Sequence, residues 1–269
     1  MAPMMKIGEV LQGQVALVIG AGSAVGAASA RKLARVGADV AVNDAGNPAG
    51  AQVTADAIAA AGGRAVTLEA DVSIGAEIKA IVAAVVKAFG RLDILVSDAG
   101  LQCDAAFADR TFEEWNYIVA VNLTRQFLCA REAVRQFLAQ PPRPWGSATL
   151  GKIIFTSGLP NAIPWAVEVN GAASKQGLSF LKKSLSPEVT GKRIRINAVS
   201  PGAIQASGNR AAGDTSELIL YGCVASPEDI GRAVVWLASD SSDDFTGTAF
   251  YVVGKKLYMD NGMLLCSEL

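Results

Sequence analysis

Two sets of residues in this chain have types and spacings that could do chemistry. The first is a glycine-rich run, Gly20-Ala21-Gly22-Ser23-Ala24-Val25-Gly26, set between an apolar segment that ends at Gly20 and a helical one. Glycines there permit a tight turn and let the backbone approach a pyrophosphate, which then sits on amides at the N-terminus of the following helix. Taken alone, such a run also fits an ordinary strand-to-helix turn. Polar or small residues end the next apolar runs in the same way: Asn43 and Asp44, Asp71 and Val72, then Ser97-Asp98-Ala99-Gly100. Asp44 is placed to accept hydrogen bonds from an adenosine ribose, and it suits equally well a solvated turn, Asp44-Ala45-Gly46-Asn47-Pro48.

The second set is Asn122, Arg131, Trp165 and Lys175, with Pro201-Gly202-Ala203-Ile204 further on. The chain contains no histidine, which removes Ser-His-Asp hydrolysis, Cys-His proteolysis and His-ligated zinc or iron. Acid-base work must fall to Lys, Tyr, Cys, Asp, Glu or water. The four cysteines, Cys103, Cys129, Cys223 and Cys266, form no CxxC pair, so no metal site is expected and reduced thiols are. A net charge of -1 without a basic block gives no footprint for nucleic acid or an acidic membrane surface. No stretch has the length of a membrane helix or a signal peptide, so a soluble, cytoplasmic protein with a small-molecule ligand is expected.

The elements that must position these groups alternate. Strands are expected at Gln14–Gly20, Asp39–Asn43, Arg64–Ala70, Asp93–Val96, Lys152–Thr156, Arg193–Val199 and Lys256–Met259. Between them fall helices at Val25–Val36, Ala49–Ala61, Ile74–Phe89, a long one from Thr111 towards Ala139, Gly171–Leu185 and Pro227–Leu237. Such alternation means right-handed βαβ crossovers and one doubly wound, Rossmann-like parallel sheet with helices on both faces. With 269 residues, hydrophobic content of 51%, no repeat and no low-complexity linker, residues 1–269 read as a single α/β domain. Pro141 to Gly146 and Asp243 to Gly247 look inserted.

In this order the residues resemble the short-chain dehydrogenases/reductases over almost the full length. The glycine run resembles that family's Thr-Gly-x-x-x-Gly-x-Gly, with Ile19 in place of Thr and Ala24 in place of the middle Gly. Asp71-Val72 resembles its adenine-contacting pair, Ser97-Asp98-Ala99-Gly100 its Asn-Asn-Ala-Gly, and Asp260-Asn261-Gly262 its Asp-Gly-Gly ending. Asn122 matches its structural and catalytic Asn, and Pro201 to Ile204 the segment beside the nicotinamide. The resemblance therefore implies cofactor contacts from Gly20, Gly22, Ser23, Ala24, Val25, Asn43, Asp44, Asp71, Val72, Ser97, Ala99, Gly100, Asn122, Lys175, Pro201, Gly202, Ala203 and Ile204. It also implies a homodimer or homotetramer.

The family's signature is Tyr-x-x-x-Lys with a Ser about thirteen residues before the Tyr. Here Lys175 matches the Lys, whereas the Tyr position is Gly171 and the Ser position Gly158. Carbonyl reduction makes an alkoxide that needs a proton donor, so it should be crippled; hydride addition to an iminium gives a neutral amine and needs none. A dinucleotide-binding pseudo-enzyme, or a carbonyl reductase with a non-standard donor, is the alternative. Tyr117 lies on another helix and reads as a packing residue.

Loss of Ser and Tyr, retention of Lys and the run Pro141-Pro142-Arg143-Pro144-Trp145-Gly146 resemble the fungal reductase/Diels–Alderases that build bicyclo[2.2.2]diazaoctane indole alkaloids. That resemblance implies NADPH-dependent reduction of a prenylated Trp-Pro-derived cyclic iminium, then an intramolecular [4+2] cycloaddition. It puts NADP(H) first and NAD(H) second, with Asp44 turned away in its Gly- and Pro-rich loop. It gives Arg131 the substrate's carbonyl oxygens (otherwise it is a surface cation), Trp165 an aromatic wall and Lys175 the nicotinamide ribose. Where it implies an acid after Trp165 the chain has Ala166, so either Glu168 supplies the acid or position 166 is an engineered change.

Overall fold

Short apolar runs become strands buried on both faces. A computed structural model describes residues 10–72, 74–98, 100–144, 149–158, 167–202, 204, 224–253, 256–260 and 264–268. β1 (Val15–Ile19) is buried throughout, as is β4 (Ile94–Ser97), and the backbone of each is satisfied by parallel neighbours. With β2 (Asp39–Asn43), β3 (Ala65–Thr67), β5 (Gly151–Thr156), β6 (Ile194–Pro201) and β7 (Ala249–Val253) they form seven parallel strands in the order β3-β2-β1-β4-β5-β6-β7. The chain reverses its direction of winding between β1 and β4, and the crevice at the carboxyl ends of that pair is where open α/β sheets hold ligands.

Helices cover both faces. α1 (Ala24–Arg35), α2 (Pro48–Ala60) and α7 (Pro227–Ala238) press Leu33, Ile58, Ile230 and Val234 onto one face. α3 (Gly75–Phe89), α5 (Arg125–Ala139) and α6 (Val169–Thr190) press Ile78, Val85, Phe137 and Leu178 onto the other. The long helix expected from Thr111 to Ala139 is present as α4 (Phe112–Val119), a π-helical turn at Ala120–Thr124, and α5. Thr111 caps it through a full capping box with Glu114. Among the described residues no helix is long and apolar enough to cross a membrane.

Three expectations need correction. β3 is confined to Ala65–Thr67, because only those residues pair with β2. α6 begins before Gly171 and runs past Leu185, through Pro187, to Thr190. The last parallel strand is Ala249–Val253, and Lys256–Asp260 forms β8, antiparallel to β7, with β9 (Leu264–Glu268) antiparallel to β8. Only two residues separate β7 from β8, and a parallel return needs a crossover of a dozen or more. The stretch Asp243 to Gly247 is a tie rather than an appendage: Asn197 Nδ2 donates to the Phe245 carbonyl and the Gly247 amide to the Ile196 carbonyl.

Candidate active site

The glycine turn is compact because its neighbours leave no room for side chains. A Cβ on Gly20, whose φ is +81°, would lie 2.4 Å from the Asp98 carbonyl oxygen. One on Gly22 would lie 2.5 Å from the Asn47 carbonyl oxygen, and one on Gly26 2.1 Å from that of Gly20. Ser23 caps α1, its Oγ accepting from the Gly26 amide, which leaves the Ala24 and Val25 amides as the helix's own unpaired donors. This arrangement fits a dinucleotide diphosphate.

Asp44 does not turn away. Its Oδ2 accepts from the Gly22 amide at 3.0 Å, and its Oδ1 from the amides of Gly46 and Asn47. The acid therefore stands on the turn itself, where ribose hydroxyls would meet it. Asn43 is buried and lines the cleft; its Nδ2 donates to the carbonyls of Leu68 and Ala70, and its Oδ1 has no partner among the described residues. The Ser97 side chain is likewise buried. Val72 lines the cleft, and Asp71 lies 3.9 Å from the Arg125 guanidinium.

The cleft, about 190 Å³ among the described residues, is bounded by Gly20, Ser23, Asp44, Asp98, Gly100 and Arg125. Tyr117 lines it too and is 60% exposed, so it is a cleft residue and not the packing residue expected. A larger hollow of about 590 Å³ between α1, α2 and Glu228 carries surface cations at the far end of α1 and none of the glycine-turn residues.

Lys175 and Asn122 come together as expected. The π-helical turn brings Asn122 inward, where its Oδ1 accepts from the Leu101 amide at 2.8 Å. Its Nδ2 donates to the Leu101 carbonyl and to Ser174 Oγ, which in turn donates to the Gly171 carbonyl. Lys175 Nζ donates to the Thr156 carbonyl at 3.5 Å and would sit 2.7 Å from a Cβ on Gly100. Glycine at position 100 is what lets the ammonium rest on the loop after β4. Burial holds the Lys175 pKa below its ordinary value, and the Asp98 charge works against that. Among the described residues a Cβ on Gly171 would meet nothing within 4 Å, so none of them closes the face of α6 beside Lys175.

Asp98 is the acid that sequence reasoning passed over. Its carboxyl accepts from Ser23 Oγ at 2.6 Å. Burial pushes its pKa up to about 6, with the hydrogen bond from Ser23 and the charge of Lys175 pulling the other way. The signal was an acid where the resembled motif has Asn. Arg125 and Tyr117 were also missed.

Glu168, at the head of α6, is buried and bonded to Gln102 Nε2; burial and then the Asp104 charge raise its pKa. Its place is set by Val167, whose φ of 64° is costly for a β-branched residue. The Val167 carbonyl accepts from the Ala105 amide and from Arg110, which clamps it. Arg131 is not brought to the site. It pairs with Glu132 and lies over Phe127, in keeping with the surface-cation alternative. Ala99, Trp145, Trp165, Ala166 and Ala203 lie outside the described residues. Pro201 ends β6, the Gly202 amide donates to Val252, and Ile204 bridges to Ala225.

A family model described as enoyl-(acyl carrier protein) reductase matches residues 20–263. A short chain dehydrogenase/reductase of Aspergillus oryzae is 33% identical over 265 residues, covering 95% of this chain and 96% of that protein. The chain belongs to the short-chain dehydrogenases/reductases. A 3beta-hydroxysteroid dehydrogenase 1 of Eggerthella lenta is 36% identical over 262 residues, 95% of each chain. A short chain dehydrogenase of Burkholderia cenocepacia, solved in complex with NADP, superposes with a TM-score of 0.82 at 28% identity, covering 91% of this chain and 98% of the other. The protein is thus an oxidoreductase by family, with Gly158 and Gly171 where the family's Ser and Tyr stand.

Proposed function

We propose that this chain is an NAD(P)H-dependent reductase whose hydride acceptor is already cationic, a cyclic iminium of the prenylated Trp-Pro-derived class. The observation that carries this reading is the face at Gly171, open among the described residues, beside a retained, half-buried Lys175. When bound, the nicotinamide supplies the hydride. The α1 amides and Ser23 hold the diphosphate, Asp44 meets the adenosine ribose, and Lys175, set on Gly100, holds the nicotinamide ribose. No residue need protonate the amine that forms. Glu168 supplies negative charge at the head of α6, near a cationic ring.

The following [4+2] cycloaddition rests on the sequence resemblance, and the protein's share in it is selection of one conformer and face. The relative that holds NADP supports NADP(H); Asp44 on the turn supports NAD(H) beside it. A homodimer or homotetramer would cover Phe127 on α5 and Phe180 on α6, both exposed.

The deciding experiment measures NADPH and NADH binding by fluorescence, then turnover of a cyclic iminium and, separately, of a ketone. Turnover of the iminium alone, with a single cycloadduct, is expected. Rapid ketone reduction would sink the reading in favour of a donor such as Asp98 or Glu168, and binding without turnover would leave a pseudo-enzyme.

A further inference from the structure

Asp98 is a titratable group that neither hydride transfer nor the oligomer explains. Its backbone is fixed by β1, since its amide donates to the Ile19 carbonyl, and its own carbonyl lies under the glycine turn. Its carboxyl shares Ser23 Oγ with the cap of α1, the helix end on which a diphosphate would rest. The charged groups around it come from every side of the cleft. Lys175 faces it from α6, and Asp44 and Arg125, the latter beside Asp71, bound the same space. Of these Lys175 also donates, at 3.5 Å, to the Thr156 carbonyl.

An ionised carboxylate at this place opposes a ligand that brings two negative phosphates to the amides one residue away. A neutral carboxyl does not, and it can still bond to Ser23. We propose that Asp98 makes dinucleotide binding take up a proton, so that this chain holds its cofactor more tightly in mildly acidic than in mildly alkaline solution. The inference rests on the dinucleotide reading of the cleft. In the free protein Asp98 titrates at about 6. The ligand's charge favours the protonated form, so the group's pKa rises in the complex, a proton enters from solvent, and affinity falls as pH climbs between the two values. Asp98 acts here through Ser23 and the turn, as a positioning residue.

NADH is the right probe, because the 2′-phosphate of NADPH itself titrates near 6 and would mask the effect. Its dissociation constant is measured by fluorescence from pH 6.0 to 8.5, with calorimetry in two buffers of different ionisation heat to count protons. The wild type should weaken about fivefold across that range, as a rise of roughly one pH unit in the Asp98 pKa requires, and take up a fraction of a proton near pH 6.5. Asp98→Asn, which installs the amide of the family motif, should bind equally well at every pH, near the wild type's acidic affinity. Asp98→Ser serves if the amide variant does not fold. A slope that survives in either variant assigns the proton to Lys175 and overturns the proposal, as does a wild type without slope. Failure of NADH and NADPH to bind at any pH overturns the dinucleotide reading itself.

Discussion

Lys175, half-buried on α6, stands at the carboxyl edge of the sheet, and Lys152, buried on β5, stands at its amino edge. Burial lowers the pKa of each, that of Lys152 to about 8. Lys152 Nζ donates to Gln14 Oε1 at 3.0 Å and to Asp240 at 3.3 Å. Arg143 pairs with Asp240, and Arg195 with Asp243, in the same cluster. Among the described residues Lys175 makes one long bond to a backbone carbonyl, has a titrating acid at its side and has open space beyond Gly171. A perturbed lysine alone therefore does not mark a functional site, since structural ion networks perturb pKa values as well. What separates the two is how completely their donors are used, and whether they stand where the strands of a parallel sheet deliver ligands.

The largest effect should come from Lys175→Met. Steady-state kinetics on the accepted substrate should show kcat/KM down by about a hundredfold or more, with little change in the urea midpoint. Lys152→Met should do the reverse, costing about 3 kcal/mol of stability by urea unfolding, because a buried pair is broken, while kcat/KM stays within about twofold. Its pH dependence has a definite sign. The folded chain holds Lys152 at about 8 against 10.5 when unfolded, so between those values the unfolded state binds more protons and the wild type gains stability as pH rises. The variant lacks that gain, and its deficit should widen by about 2 kcal/mol between pH 7 and pH 10. Equal kinetic losses in the two variants would break the comparison.

The carboxyl edge was largely legible before the structure, and the amino edge was not. Strands read as apolar runs ending in Gly, Asp or Asn place those ends side by side once they are parallel, so the glycine turn, Asp44 and Asp71 converge, and the helices that follow bring Asn122 and Lys175 to the same edge. Arg131, which the resemblance assigns to the substrate's carbonyl oxygens, pairs instead with Glu132 and lies over Phe127, as its surface-cation alternative has it. Arg125, which does reach the cleft, lies six residues earlier and so about 120° away around the helix. β8 was misjudged because an apolar run does not declare its direction; the two-residue link after Val253 does. The Arg143, Lys152 and Arg195 cluster draws on residues far apart in sequence, and no local spacing announces it.

Within the carboxyl edge, Asp44 and Gly171 divide cofactor choice from substrate room. Asp44→Ser removes the charge from the turn while keeping a small hydrogen-bonding side chain. The ratio of NADPH to NADH affinity, read by fluorescence titration, should move about tenfold towards NADPH. An unchanged ratio would mean that the adenosine ribose lies elsewhere than beside the Gly22 amide.

Gly171→Ala should have the smallest effect, and it tests what the open face is for. The added methyl meets no atom of the described residues within 4 Å and removes the backbone freedom of a glycine in the first turn of α6. Stability by urea unfolding should therefore rise by about 0.5–1 kcal/mol. If the open face is packing space with no ligand, kcat and KM should both stay as they are. If it is where a bulky ring lies against Lys175, KM should rise severalfold with kcat nearly unchanged, since the lost contact is made equally in the ground and transition states. A more stable protein that binds its substrate less well is the outcome expected of a glycine kept for the substrate and not for the fold.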